Sequence, residues 1–235
     1  MLFSNRTFEA ADPGIEDMGP TCLSLFGFKT LGAASTSRRS RVRLARSSWM
    51  IPISELVTSS AESFQPRWSP DGNHIAYLAT TSQISTNDSQ SEDMQLYLVS
   101  AQGGIPQCMT RSLDRRIENV QWHPHDHSVY FTAGNKGSLP LYRLSITAGN
   151  IELIIGNECQ IPEYSFNAEG NRLAYLQTDI AHPAEIFFKE IHQQVGKKIT
   201  DQNDALLQRF NFQHAEEFWF TSFDETPVQG WIMKP

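Results

Sequence analysis

A chain of 235 residues, 40% of them hydrophobic, holds enough apolar material for a substantial core, which excludes disorder as a description of the whole. The net charge of −7 is uneven: residues 1–50 carry seven Lys/Arg against four Asp/Glu, so residues 51–235 carry −10. So acidic a main body excludes nucleic acid as the expected partner.

Residues 1–41 resemble no later part of the chain, and their Gly, Pro and Ser content reads as loop or disorder. Cys22 to Phe28 is the most apolar early stretch and is far too short to cross a bilayer. No charged-then-apolar signal pattern opens the sequence, so a soluble, cytoplasmic protein with no membrane partner is expected. The cluster Arg38, Arg39, Arg41, Arg43 and Arg46 reads as a solvated segment. Glu9, Asp12, Glu16 and Asp17 ahead of it argue against a transit peptide.

From Ile53 onward the chain repeats itself. Phe64 to Leu78 (Phe-Gln-Pro-Arg-Trp-Ser-Pro-Asp-Gly-Asn-His-Ile-Ala-Tyr-Leu) is echoed by Val120 to Phe131 and again by Tyr164 to Leu176. The aromatic anchors Trp68, Trp122 and Phe166 stand 54 and 44 positions apart. Each copy reads as a hairpin, since Ser69-Pro70-Asp71-Gly72 places Pro where φ near −65° is wanted and Gly where φ turns positive. Another extended run follows each hairpin: Gln95 to Val99, Leu141 to Ser145, and Glu185 to Lys189. A turn and a closing strand complete the first unit, at Ile105 to Thr110.

Four short strands in roughly 40–50 residues are the signature of a propeller blade. In Ile75-Ala-Tyr-Leu78 apolar residues fall on both faces, as in a sheet covered on each side. Ile53 to Thr58 looks like the closing strand of an earlier blade, while Thr80 to Asp93, rich in Ser, Thr, Asn and Gln, reads as an inserted loop. The expected fold is therefore all-β: a partial β-propeller of about three to four four-stranded blades over residues 42–210, after an unassigned stretch at 1–41.

The repeat resembles that of the prolyl oligopeptidase, dipeptidyl-peptidase and acylaminoacyl-peptidase enzymes, and also that of TolB. The tail separates them. Glu216 to Pro235, with Gly230-Trp231 and Lys234-Pro235, is similar to the peptidases' passage from propeller into α/β-hydrolase; Asp224-Glu225 replaces their usual Asp-Gly. Residues 211–235 are then a linker and the first strands of that hydrolase domain. The resemblance, closest to the acylaminoacyl-peptidase branch, implies a substrate-gating propeller portion of a serine peptidase, with peptides as substrates of the parent enzyme. A TolB-like scaffold binding proteins or peptides is the alternative.

No G-x-S-x-G elbow occurs, so no catalytic residue is assigned. No G-x-x-x-x-G-K or G-x-G-x-x-G loop occurs either, and no cofactor is expected. His123, His125 and His127 form the strongest metal-like cluster, yet they occupy the position of the Ser69 to Asn73 turn and lack a fourth ligand; they read as a solvated turn, with no metal. Trp68, Trp122, Trp219 and Trp231 read as core, and Glu216-Glu217 as an exposed strand entry rather than an amine-binding carboxylate pair. Cys22, Cys108 and Cys159, odd in number and outside any CxxC pair, read as apolar fillers. An incomplete ring leaves blade faces uncovered, so self-association of the isolated chain is expected.

Overall fold

The computed structural model describes residues 40–44, 54–59, 62–81, 93–156, 158–210, 212–213 and 215–234. Three four-stranded antiparallel sheets, each a simple meander, form the body. Blade I consists of β3 (Ser63–Trp68), β4 (His74–Thr80), β5 (Met94–Ser100) and β6 (Gln107–Cys108). Blade II follows with β7 (Ile117–Trp122), β8 (Ser128–Ala133), β9 (Leu141–Ser145) and β10 (Ile151–Ile155). Blade III has β11 (Tyr164–Phe166), β12 (Arg172–Gln177), β13 (Glu185–Glu190) and β14 (Lys197–Lys198). In front of them stands a hairpin, β1 (Ser40–Leu44) with β2 (Ser54–Ser59), which starts two residues earlier than the repeat suggests. After blade III come a single helical turn, α1 (Asp204–Leu207), and a second hairpin, β15 (Glu216–Thr221) with β16 (Pro227–Ile232). The inserted loop lies largely outside the described residues, as do residues 1–39 and Cys22.

The two-faced apolar pattern has the meaning read from it. Along β4, Ile75, Tyr77 and Ala79 pack with Val57 of the front hairpin. Ala76 and Leu78 point the other way and, with Leu96 and Leu98, meet Ile117, Val129 and Phe131 of blade II. A third cluster joins Tyr130 and Leu141 of blade II to Tyr164, Leu173 and Tyr175 of blade III. The core is thus a series of seams between successive sheets, as radial packing requires.

The outer faces of the first and last blades differ in how they are covered. Ile75 and Tyr77 are buried, because β2 covers them. Phe187 turns inward against the blade II–III cluster. The more open face of blade III is carried by the side chains that point the opposite way, Ala174 and Ile186.

Candidate functional site

The candidate site is the row of turns where the first and second strands of each blade meet, together with the inner strands behind it. Each turn is held by one side chain accepting or bridging main-chain groups. In blade I, Ser69 Oγ donates to Asp71 Oδ1 at 2.5 Å, and the Asn73 N–H donates to the same oxygen at 3.0 Å. These bonds, the Ser69 hydroxyl first, bring the Asp71 carboxyl down to about 2. In blade III, Asn167 Oδ1 accepts from the Arg172 N–H at 2.9 Å. Gly72 and Gly170 close their turns at φ +71° and +70°, where glycine is favoured.

Blade II places His123 at the equivalent position, and here the solvated-turn reading fails. His123 is only 7% exposed. A carbonyl oxygen only accepts, so Nε2–H donates to Gly170 O across the seam at 2.8 Å. Nδ1 accepts the main-chain N–H groups of His125 and Asp126 at 3.2 and 3.0 Å. The ring stacks on Tyr130 and meets Phe166 edge-on. The reason lies in the fold rather than the turn: the next blade's turn comes down on this one, and an imidazole fills the space between them.

His125 Nε2 bonds Ala168 O at 2.9 Å, while His127, at φ 50° and exposed, faces Asp71 Oδ2 of the preceding blade at 3.9 Å. The three imidazoles therefore diverge, two toward blade III and one toward blade I. Among the described residues no group of three or more His, Cys, Asp or Glu side chains is arranged to hold a metal ion.

Behind the turns, side chains of one inner strand bond the main chain of the next. Trp122 Nε1 donates to Arg67 O at 3.0 Å, linking blade II to blade I. Asn119 Nδ2 donates to Pro162 O, Gln121 Nε2 to Tyr164 O, and the Tyr164 hydroxyl to Asn119 O at 2.6 Å, linking blade II to blade III. Asn119 reaches these partners from φ 52°, at a bulge between Glu118 and Gln121 that blade I repeats at Gln65. Farther out, Lys189 is 4% exposed and donates to Ile154 O of blade II at 3.0 Å. Burial holds its ammonium below the usual lysine range. Neither His123 nor Lys189 was marked by the sequence as a seam residue; only a partner 47 positions away in one case and 35 in the other reveals them.

The tail departs from expectation in one respect. Trp68 and Trp122 pack in the first two seams, but Trp219 and Trp231 are 49% and 46% exposed, because among the described residues no further sheet covers their hairpin. That hairpin lies back on blade II, with Trp231 beside Gly137 and Lys136 Nζ 5.9 Å above the Trp219 ring. Glu216 accepts from Lys234 Nζ and Glu217 from Trp219 Nε1, so both carboxylates are engaged within the hairpin. Cys108 and Cys159 are free thiols, and burial pushes the Cys159 thiol up.

Blades in series, joined by apolar seams and strand-to-strand side-chain bonds, define the class: a run of β-propeller blades. Dipeptidyl-peptidase 5 of Porphyromonas gingivalis is 19% identical over 170 residues, 72% of this chain and 24% of that protein. Dipeptidyl-peptidase 5 of Schizosaccharomyces pombe is 21% identical over 187 residues, 78% of this chain and 26% of that protein. The chain therefore spans about a quarter of the length of these curated relatives. Among solved structures, Pyrococcus horikoshii acylaminoacyl peptidase superimposes with a TM-score of 0.63 at 21% identity, covering 81% of this chain and 27% of that one. The β-propeller domain of the Trilobed protease from Pyrococcus furiosus gives 0.50 at 21% identity, covering 66% and 43%. No family profile matches the chain. The likenesses converge on the propeller portion of a peptidase of the prolyl oligopeptidase family. No helix among the described residues is long and apolar enough to cross a membrane.

Proposed function

We propose that this chain is a gating portion of such a peptidase's propeller, contributing blades that restrict which peptides reach a hydrolase domain and contributing no catalytic group of its own. Residues 42–210 are the propeller part, and 211–235 the linker and first strands of the hydrolase. The observation that carries the reading is the tail hairpin. Phe218, Phe220 and Met233 are half-exposed beside the two tryptophans, and Phe223 is fully exposed. An aromatic surface of that extent is characteristic of one covered by another domain. The absence of a G-x-S-x-G elbow in the sequence supports the non-catalytic part.

An active-site serine phosphonate tests it: the chain alone is expected to remain unlabelled, whereas a polypeptide extended past Pro235 into a G-x-S-x-G segment labels. Stoichiometric labelling of any serine within residues 1–235 would overturn the proposal.

A further inference from the structure

Two blades close with the same set of bonds, built on different side chains. The strand register places Glu185 and Ile186 in β13 where blade I has Gln95 and Leu96 in β5. In blade I, Thr110, fifteen positions after Gln95, donates its hydroxyl to Gln95 Oε1 at 2.8 Å and accepts the Leu96 N–H at 3.0 Å. The Met109 N–H donates to Leu96 O at 2.8 Å. In blade III, Thr200, again fifteen positions on, donates to Glu185 Oε2 and accepts the Ile186 N–H at 2.9 Å. The Ile199 N–H donates to Ile186 O at 2.9 Å. Gln95, Thr110 and Glu185 are all buried.

A carboxylate in place of an amide changes what such a closure can hold. Gln95 uses its Nε2 to donate onward to Arg115 O at 3.1 Å. A carboxylate only accepts, and Glu185 Oε1 is met by two donors, the Asn203 N–H at 2.7 Å and Asn203 Nδ2 at 3.0 Å. Asn203 Nδ2 also donates to Ala184 O at 3.2 Å. One buried carboxylate thus gathers Thr200 and Asn203, on the segment that runs from the two-residue β14 to α1. These donors, the Thr200 hydroxyl first, hold the Glu185 carboxyl below the usual glutamate range. The charges around it are Lys198 of β14, which pairs with Asp204 of α1, and Asp201 between them. The β12–β13 turn brings Asp179 and His182, which bond each other, and β12 sets the uncharged Gln177 opposite.

We infer that Glu185, Thr200 and Asn203 form an acid-releasable latch on the segment leaving blade III, the ionisable counterpart of the neutral Gln95–Thr110 latch of blade I. A proton on Glu185 turns one accepting oxygen into a donor, so the side chain no longer satisfies Thr200 and Asn203 together. The stabilisation is complete above the ordinary glutamate value near about 4.3 and is lost as pH falls through the lower folded-state one. The latch is defined by strand register and does not depend on the gating role.

Hydrogen exchange of the full chain, corrected for the intrinsic effect of pH, reads the latch at the Ile199 and Asn203 N–H groups, with Leu96 and Met109 as the blade I reference. Between neutral pH and about pH 3, protection at Ile199 and Asn203 is expected to fall at least about 10-fold, as loss of a charge-assisted bond requires, while Leu96 and Met109 keep theirs. Glu185→Gln, the neutral isostere, is expected to show the loosened segment already at neutral pH and little further change in acid. Asn203→Ala, outside the blade, loosens Ile199 in the same sense and leaves β12 as protected as before. Protection at Ile199 and Asn203 that survives acid, release of both latches together, wild-type protection or an undiminished acid drop in Glu185→Gln, or an unaltered segment in Asn203→Ala would each overturn the proposal.

Discussion

The seams on either side of blade II are built from different materials. Between blades I and II the contact is aliphatic and phenyl, with Leu78, Leu96, Val129 and Phe131 at its centre and one indole-to-carbonyl bond at its inner end. Between blades II and III the core is phenolic, with Tyr130, Tyr164 and Tyr175, and it is crossed by the bonds of His123, Asn119, Gln121, Tyr164 and Lys189. The first seam draws on area removed from water, which is non-directional; the second adds groups whose geometry fixes how one blade is turned against the next.

The contrast breaks most sharply at the centre of the first seam. Phe131 is fully buried there, so Phe131→Ala is expected to cost about 3–5 kcal/mol and to remove most of the cooperative transition in urea melts. An unchanged midpoint would mean that blades I and II are not packed together.

The second seam is most exposed to a change of glycine. Gly170 and Gly72 share φ near +70°, but a Cβ at Gly170 would lie 2.6 Å from His123 Cε1, whereas nothing lies within 4 Å of one at Gly72. Either Gly→Ala change costs about 1–2 kcal/mol for the left-handed backbone. Gly170→Ala is expected to cost more than Gly72→Ala by displacing His123, and His123→Ala should abolish that excess in a double-mutant cycle. Equal losses for the two glycines would show that His123 does not bear on the turn.

Of the individual bonds, Tyr164→Phe is expected to cost about 1 kcal/mol, leaving the Asn119 carbonyl without its hydroxyl donor. Trp122→Phe, at the more open end of the first seam, should cost less. Thermal melts of the two variants rank them, and a reversed order would contradict the assignment of directional bonding to the second seam.

The smallest effect is a pH slope. Burial pushes Tyr130 up to about 12, and Tyr164 upward as well. A folded-state value above the unfolded one, near about 10, means the stabilisation is complete below the unfolded value and is lost as pH rises through the folded one. Stability should therefore decline from about 10 toward about 12, and Tyr130→Phe should flatten the decline. Lys189 has the opposite sign: its lowered value makes the charged form costly in the fold, so its contribution improves as pH rises toward the ordinary lysine range near about 10.4. Lys189→Met should steepen the alkaline loss.

What could be read from the sequence is local. Ser69-Pro70-Asp71-Gly72 announces its turn, and Ile75 to Leu78 announces two covered faces, because three or four adjacent residues carry the whole signal. His123 does not: His-Pro-His-Asp-His has the composition of a solvated turn, and its burial comes from Gly170, a glycine whose own sequence context speaks only of its own hairpin. Lys189 sits in Glu-Ile-Phe-Phe-Lys-Glu, where a lysine suggests water, yet strand register points it at Ile154. Trp219 and Trp231 were legible as seam material but not as uncovered, since coverage belongs to a neighbour and not to the strand.

The turn of blade II touches both neighbours, His127 toward Asp71 and His123 and His125 toward blade III. In a stack coupled only between adjacent members, an interior unit stands in two couplings and a terminal unit in one, much as in a linear magnet of few spins. Loss of blade II would therefore leave two fragments with no common boundary, whereas loss of blade III would shorten the array by a step. Damage is weighted by rank in the series before any chemistry is considered.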